Sequence, residues 1–402
     1  MNKTSDLDTI KEQLTYCVLN AIRNESDPTD DRLKEIIADV ISNTDSIKMS
    51  LSEKRDMAKR VFNSLRRMDV IEPLMQDPTI TEIMVNGPDK IFYERGGKLF
   101  KSDIKFKDEE TLKTVISCFF ANRNRPLNEA NPISDLRLPD GSRANAVLAP
   151  IASQTTVTIR KFTGISHDIV TLIRQGFISE EAARVLSSCV RNKKTIFLSG
   201  GTGSGKTTFL NCLSSFIPKD ERVVTIEDSA ELNLQGIDNL VRMEARLPGP
   251  DGSGEVNIGM MIRASLRMRP DRIIVGEVRG GEVFDMINAM NTGHSGSLST
   301  GHANSIPGML KRLEAMFMQA VDFPVDAIRA QISEGIDIMI HMSRMRDGSR
   351  RVVEIAELTE VRDGQILTNC LYRADCGMTG NRLIHREKLE IGDIDDKELL
   401  SI

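Results

Sequence analysis

Hydrophobic residues recur at helical spacing near the start of the chain. Ile10, Leu14, Val18 and Ile22 form one series. Leu33, Ile36, Ile37, Val40 and Ile41 form a second, after a break at Asp27-Pro28-Thr29-Asp30. Apolar positions three and four apart make one stripe on a helix, so residues 1–55 read as an N-terminal helical segment. That segment is either a docking module or a helical cap on the next domain. Ser52 to Val70 continues the pattern, with Lys54, Arg55, Lys59, Arg60, Arg66 and Arg67 as a basic face. A solvated helix face is one meaning of that run, and a lipid or partner site is the other.

The period then shortens. Glu82–Val85 and Lys90–Tyr93 read as strands, and Gly96-Gly97 turns a hairpin back to Lys98–Phe106. Asp108 can cap a helix running to Asn122, with Glu109 and Glu110 in its first turn. Ile133–Leu138, the turn Pro139-Asp140-Gly141, Arg143–Leu148 and Thr155–Phe162 complete an α+β domain over residues 56–162. A mostly polar linker is expected over 163–179. From residue 180 to 402 strands and helices alternate, which predicts an α/β domain with a parallel-rich sheet. Helices are expected at Pro307–Ala320 and Val325–Glu334, and a strand at Ile336–His341. A hairpin of Val352–Glu360 and Gln365–Tyr372 turns at Asp363-Gly364. Leu247–Gly254 reads as a flexible loop facing the partner or the next subunit.

Bulk properties narrow the function classes. A chain of 402 residues has room for two or three domains. Hydrophobic residues at 40% and charged residues at 28% suit a globular protein. A net charge of −5 argues against direct nucleic-acid binding. The absence of Trp, with aromatics at 4%, leaves few platforms for stacking bases. None of the six cysteines stands in C-x-x-C spacing, and they read as reduced core residues of a cytosolic protein. The first twenty residues are polar and mixed, so no signal peptide is expected. No apolar run approaches a membrane span, so any membrane role should be peripheral.

One stretch carries chemistry by itself. Gly200-Gly201-Thr202-Gly203-Ser204-Gly205-Lys206-Thr207-Thr208 fits G-x-x-x-x-G-K-[ST]. An apolar strand, Thr195–Ser199, precedes it, and a helix from Thr207 to Ile217 follows, stopped by Pro218. Strand, glycine loop and helix together cradle a triphosphate. The glycines let backbone N–H groups converge, and the helix N-terminus adds its field. Lys206 should reach the β/γ-phosphates of ATP, and Thr207 should ligate Mg²⁺.

Three further segments fit the same site. Val223–Ile226 leads into Glu227, Asp228 and Glu231, and Glu227 stands where a strand-end acid can hold Mg²⁺. Arg272–Val275 leads through Gly276 to Glu277. Many phosphate-loop ATPases place an Asp before this Glu, so the metal duty moves to Glu227. Glu277 becomes the candidate to orient or deprotonate the attacking water. Finally, His294 and His302 flank the strand Ser297–Thr300 and read as γ-phosphate sensors or coupling residues. Their separation does not suit zinc.

Together these boxes resemble the type II/type IV secretion ATPase superfamily. Within it, Leu138–Arg143, Thr158–Phe162 and Leu266–Arg272 look most like the CpaF family, which powers tight-adherence (Flp, type IVb) pili. The resemblance covers roughly residues 60 to 345. It implies a RecA-like ATPase domain, a homohexameric ring at the cytoplasmic membrane face, and inner-membrane platform proteins as partners. It also implies that Arg143 and Arg160 reach bound nucleotide as it reacts. A DNA-translocation ATPase and a non-enzymatic nucleotide switch are the competing readings. No N-K-x-D base-reading motif supports a GTPase.

Overall fold

The computed structural model describes residues 3–22, 28–44, 49–123, 125–161, 168–246, 248 and 253–385. They fall into two compact units, one before and one after residues 162–167.

The first unit opens with helices α1 (Lys3–Ala21), α2 (Asp30–Asn43) and α3 (Leu51–Arg66). Their stripes meet in a small core of Leu14, Val18, Leu33, Ile37, Met57 and Val61. Thr29 caps α2, and Ser50 with Glu53 forms a capping box on α3, so each helix starts where an orphan N–H finds a side-chain oxygen. After α4 (Glu72–Gln76) come β1 (Ile80–Asn86), β2 (Ile91–Arg95), β3 (Lys98–Lys101), α5 (Glu109–Ala121), β4 (Ile133–Arg137), β5 (Arg143–Val147) and β6 (Thr156–Arg160). The strands form one antiparallel sheet in the order β3-β2-β1-β6-β5-β4. Period-2 alternation buries Ile83, Val85, Ala144, Ala146, Val157 and Ile159 in one core with α5. Asp108 caps α5 by accepting a hydrogen bond from the Thr111 N–H.

The second unit begins with α6 (Ile169–Arg174) and α7 (Glu180–Arg191). Helix α6 lies inside the stretch expected to be a polar linker. Asp168 caps it and Ile169 and Leu172 join the core, a signal too short to stand out in a window. Residues 163–167 of that stretch lie outside the described residues. There follow β7 (Ile196–Gly200), α8 (Lys206–Ser214), β8 (Val223–Glu227), β9 (Leu240–Glu244), α9 (Ile258–Ser265), β10 (Arg272–Val275), α10 (Glu282–Asn291), β11 (Leu298–Gly301), α11 (Ile306–Ala320) and α12 (Val325–Gly335). The chain ends in β12 (Ile338–Arg344), β13 (Arg350–Arg362), β14 (Gln365–Arg373) and β15 (Gly377–Met378). One sheet holds these strands in the order β15-β14-β13-β12-β7-β11-β10-β8-β9. Strands β12 through β9 in that order run parallel, and β13, β14 and β15 extend the sheet antiparallel.

Strands β7, β8, β10 and β11 are buried at every residue, because helices cover both faces. Two apolar layers result. One packs Leu186, Phe209 and Leu213 on one face, and the other packs Met286, Ile287, Leu313 and Phe317 on the opposite face. The hairpin β13–β14 turns at Asp363 and Gly364, both at positive φ. The loop expected at Leu247–Gly254 lies mostly outside the described residues. No helix among the described residues is long and apolar enough to cross a membrane.

The expectation of six core cysteines fails. Cys189 and Cys212 are buried, Cys370 is half-buried, and Cys17, Cys118 and Cys376 are exposed. Cys17 and Cys118 sit beside the apolar stripes of α1 and α5 rather than within them.

Candidate active site

The parallel strands deliver their loops to one end of the sheet, the end where an α/β fold builds its sites. Gly200 closes β7, and the following loop enters α8 through Gly205, whose φ of 95° is left-handed and suits glycine. Lys206, the first residue of α8, is 7% exposed. Its ammonium donates to the carbonyls of Gly200 and Gly201, both at 3.1 Å, so it bridges its own loop. It also lies 3.3 Å from His302 Nδ1. His302 follows β11, and its Nε2 is 2.8 Å from Glu277 Oε1. Glu277 follows β10, and its Oε2 accepts from Arg279 at 3.0 Å. Arg279 in turn reaches Asp228 at 3.3 Å. Four loops are thereby joined by one run of charged and polar side chains.

The protonation states follow from the surroundings. Burial lowers the pKa of His302, Lys206 lowers it further, and Glu277 pulls the other way. A neutral ring can accept from Lys206 at Nδ1 and point its Nε2–H toward Glu277. Despite that proximity, Glu277 Oε1 is buried without an aligned hydrogen bond, and so is Ser204 Oγ in the phosphate loop. Buried polar atoms without partners cost free energy, so both suit a site completed by a polar ligand or water.

The acids divide in a way the sequence did not reveal. Glu227 was expected to hold metal. Its Oε1 accepts the backbone N–H groups of Glu231 at 2.8 Å and Leu232 at 2.9 Å. It therefore shapes the acidic loop. The Thr207 hydroxyl donates to Glu231 Oε2 at 3.3 Å, which puts Glu231 beside the expected metal ligand. Glu231 stood in the acidic cluster, but its distance from the strand end hid it. Gly276 has a local reason too: a Cβ there would lie 2.9 Å from Glu227 Cγ, so an Asp at this position would displace Glu227.

His294 requires a correction. It precedes β11, whose first residue Leu298 pairs with Ile196 at the start of β7. The strand then runs about 10 Å before it reaches the phosphate-loop end. His294 Nδ1 lies 3.1 Å from the Ala289 carbonyl, near the end of α10, where it serves as a helix cap. A different histidine joins the site. His341 on β12 is paired in register with Ser199, and its Nδ1 is 2.9 Å from Ser199 Oγ. Burial lowers its pKa, a hydrogen bond with the Asn304 backbone raises it, and Lys206 lowers it. Only strand order brings it there, so its sequence neighbourhood gave no signal.

Arg143 and Arg160 belong to the first unit, where they are directly opposed across β5 and β6. Arg137 on β4 is directly opposed to Arg143. On the other side Arg160 faces Glu82, and Glu82 faces Glu94. One row across the open sheet face thus reads Arg-Arg-Arg-Glu-Glu. Like charges directly opposite are unfavourable, and here three arginines stand side by side with two glutamates continuing the row. Arg137 was not among the expected residues.

Among the described residues no three His, Cys, Asp or Glu side chains converge to hold a metal ion. Mg²⁺ fits this site in the way it usually binds, through one or two protein oxygens and the phosphates of a nucleotide.

The chain shares its fold with the DotB ATPase of Legionella pneumophila and with the pilus retraction motor PilT. For DotB the TM-score is 0.52 at 21% identity, covering 73% of this chain and 82% of that one. For PilT it is 0.51 at 19% identity, covering 76% and 82%. The chain belongs to the type II/IV secretion system protein family, which matches residues 65–386. A Mycobacterium tuberculosis protein named for conjugal transfer is 35% identical over 318 residues, spanning 77% of this chain and 89% of the relative. The type IV secretion system protein PtlH of Bordetella pertussis is 32% identical, spanning 72% and 93%. VirB11 of Brucella suis is 30% identical, spanning 73% and 89%.

Proposed function

We propose that the protein is a mechanical ATPase, a homohexameric ring at the cytoplasmic face of the inner membrane that drives assembly of a tight-adherence pilus, as CpaF-family motors do. The observation that carries this reading is the run of close contacts from Lys206 through His302 to Glu277, assembled from three separate loops. Such a run lets one bound triphosphate be felt at several strand ends together.

The roles follow from chemistry. Gly200 to Gly205, with Thr208 in the first helical turn, frame the phosphates. On nucleotide binding Lys206 would leave its two carbonyls for the β/γ-phosphates, a stronger electrostatic partner. Thr207 and Glu231 would hold Mg²⁺, with Glu227 fixing the loop that carries Glu231. The metal supplies positive charge that offsets the triphosphate as its terminal bond breaks. Glu277 would orient and deprotonate the attacking water, and His302 would report the state of that carboxylate to Lys206. Arg143 and Arg160, with Arg137 beside them, are candidates to neutralise the departing phosphoryl group.

A conjugative-transfer motor is the second reading, favoured by the mycobacterial relative's name. It shares the nucleotide chemistry and differs in cargo. The acidic balance of the chain favours a protein cargo, and a salt-dependent DNA-binding titration separates the two. The central test is Lys206→Ala, read as ATP turnover by the purified protein and as pili on cells. Turnover should fall at least a hundredfold and pili should vanish. Pilus assembly at the normal level would overturn the proposal.

A further inference from the structure

The hairpin between β12 and β13 ends on the phosphate loop. Arg350, the first residue of β13, donates from Nε to the Gly203 carbonyl at 2.9 Å. Its Cδ lies 3.5 Å from where a Cβ on Gly205 would stand, beside Phe177 and Met342. The side chain therefore lies along the loop. Arg350 is also directly opposed to Arg344 across the hairpin, an arrangement that like charges disfavour. Residues 344–351 carry four arginines and one acid. That acid, Asp347, is engaged by the Ser349 N–H at 2.8 Å and hydroxyl at 2.6 Å.

The contact falls at an informative place. The Gly203 carbonyl and the Ser204 N–H belong to one peptide unit. Its oxygen is gripped by a charged donor, whereas its N–H makes a long bond of 3.3 Å to the Gly201 carbonyl. The Ser204 hydroxyl in the same residue has no partner. Gly203 has φ of 70°, so its own backbone has the freedom to swing this peptide. A peptide fixed at oxygen and loosely held at nitrogen is ready to give its N–H to an anion.

We infer that Arg350 is a positioning residue for nucleotide. It holds the Gly203–Ser204 peptide with its carbonyl turned outward, so that the N–H faces the phosphates. The antiparallel extension β13–β15 is thereby tied to loop occupancy from within the same unit. The inference rests on the loop being a nucleotide site, and the experiment separates the two.

Mg-ATP and Mg-ADP binding and steady-state turnover are measured on the full chain for wild type, Arg350→Gln, Arg350→Lys and Arg346→Gln. Arg350→Gln should raise KM and both dissociation constants about tenfold, with kcat within about threefold. Arg350→Lys should restore most of the affinity, since an ammonium can still grip the carbonyl. Arg346→Gln, on the same hairpin, should behave as wild type. Unchanged KM in Arg350→Gln overturns the inference, and so does a fall in kcat with KM fixed. A wild-type protein that binds no nucleotide overturns the nucleotide-site reading itself.

Discussion

The two ends of the parallel sheet in the second unit use the same residue types for opposite purposes. At the end where the strands begin, Arg272 is fully buried and its guanidinium grips both oxygens of Glu221. It also donates to the Val190 and Gly296 carbonyls at 2.7 and 3.3 Å. Lys194, 1% exposed, pairs with Asp337 at 3.1 Å and donates to the His385 carbonyl at 2.8 Å. Both of these buried cations have fixed partners. At the other end Lys206 rests on its own loop, and Glu277 Oε1 and Ser204 Oγ lack hydrogen bonds. Saturated groups stabilise a fold, whereas groups left short of partners can respond to a ligand.

Exchanging one acid at each end gives the largest expected effects. Glu277→Gln should lower ATP turnover by about a hundredfold or more while the urea midpoint stays near wild type. Glu221→Gln should do the reverse. It leaves Arg272 buried with a neutral partner, a loss of about 3 kcal/mol, so the urea midpoint should drop while turnover per folded molecule persists. If both substitutions lowered stability and spared turnover, the two ends would not differ as described.

The histidines sharpen the comparison at smaller scale. His302→Asn should cost about tenfold in turnover, because the shorter amide cannot span Lys206 and Glu277 together. His294→Asn loses a contact at the end of α10 worth about 1 kcal/mol and should leave turnover within about twofold. Steady-state kinetics beside thermal melts check both. Equal losses of turnover would mean that the sheet does not insulate its two ends.

What the chain revealed in advance follows from the range of each signal. The glycine loop, its strand and its helix were legible because all three lie within about twenty consecutive residues and each obeys a local rule. The two cores were legible as apolar runs. The assignment of partners across the sheet was not. Glu231, His341 and Arg350 reach the phosphate loop only because β8, β12 and β13 take their particular places in the strand order. His294 was over-read for the same reason: two histidines flanking one strand looked alike until the strand's direction was known. In the first unit the signal at Arg143 and Arg160 was a resemblance, and only register lines them up with Arg137.

Acidity offers the finest probe of the open end. Burial and Lys206 hold the pKa of His302 below its ordinary value of 6.5, with Arg279 and Arg312 adding to Lys206 and Glu277 opposing them. At neutral pH the ring is uncharged and accepts from Lys206. Protonation removes that acceptor and turns the contact with Glu277 into an ion pair, which ties up the proposed base. Because kcat/KM reports the free enzyme, it should fall on acidification with a midpoint below pH 6.5. Stability moves in the same direction. The unfolded chain takes up the proton near pH 6.5 while the native site resists it, so stability declines as pH drops below that value and levels off below the native pKa. His341, also shifted down, adds to the stability slope without lying between Lys206 and Glu277. His302→Asn should therefore flatten the acid limb of kcat/KM, and His341→Asn should flatten only the stability profile. An unchanged acid limb in His302→Asn would move the titration to another group and detach His302 from the open end of the sheet.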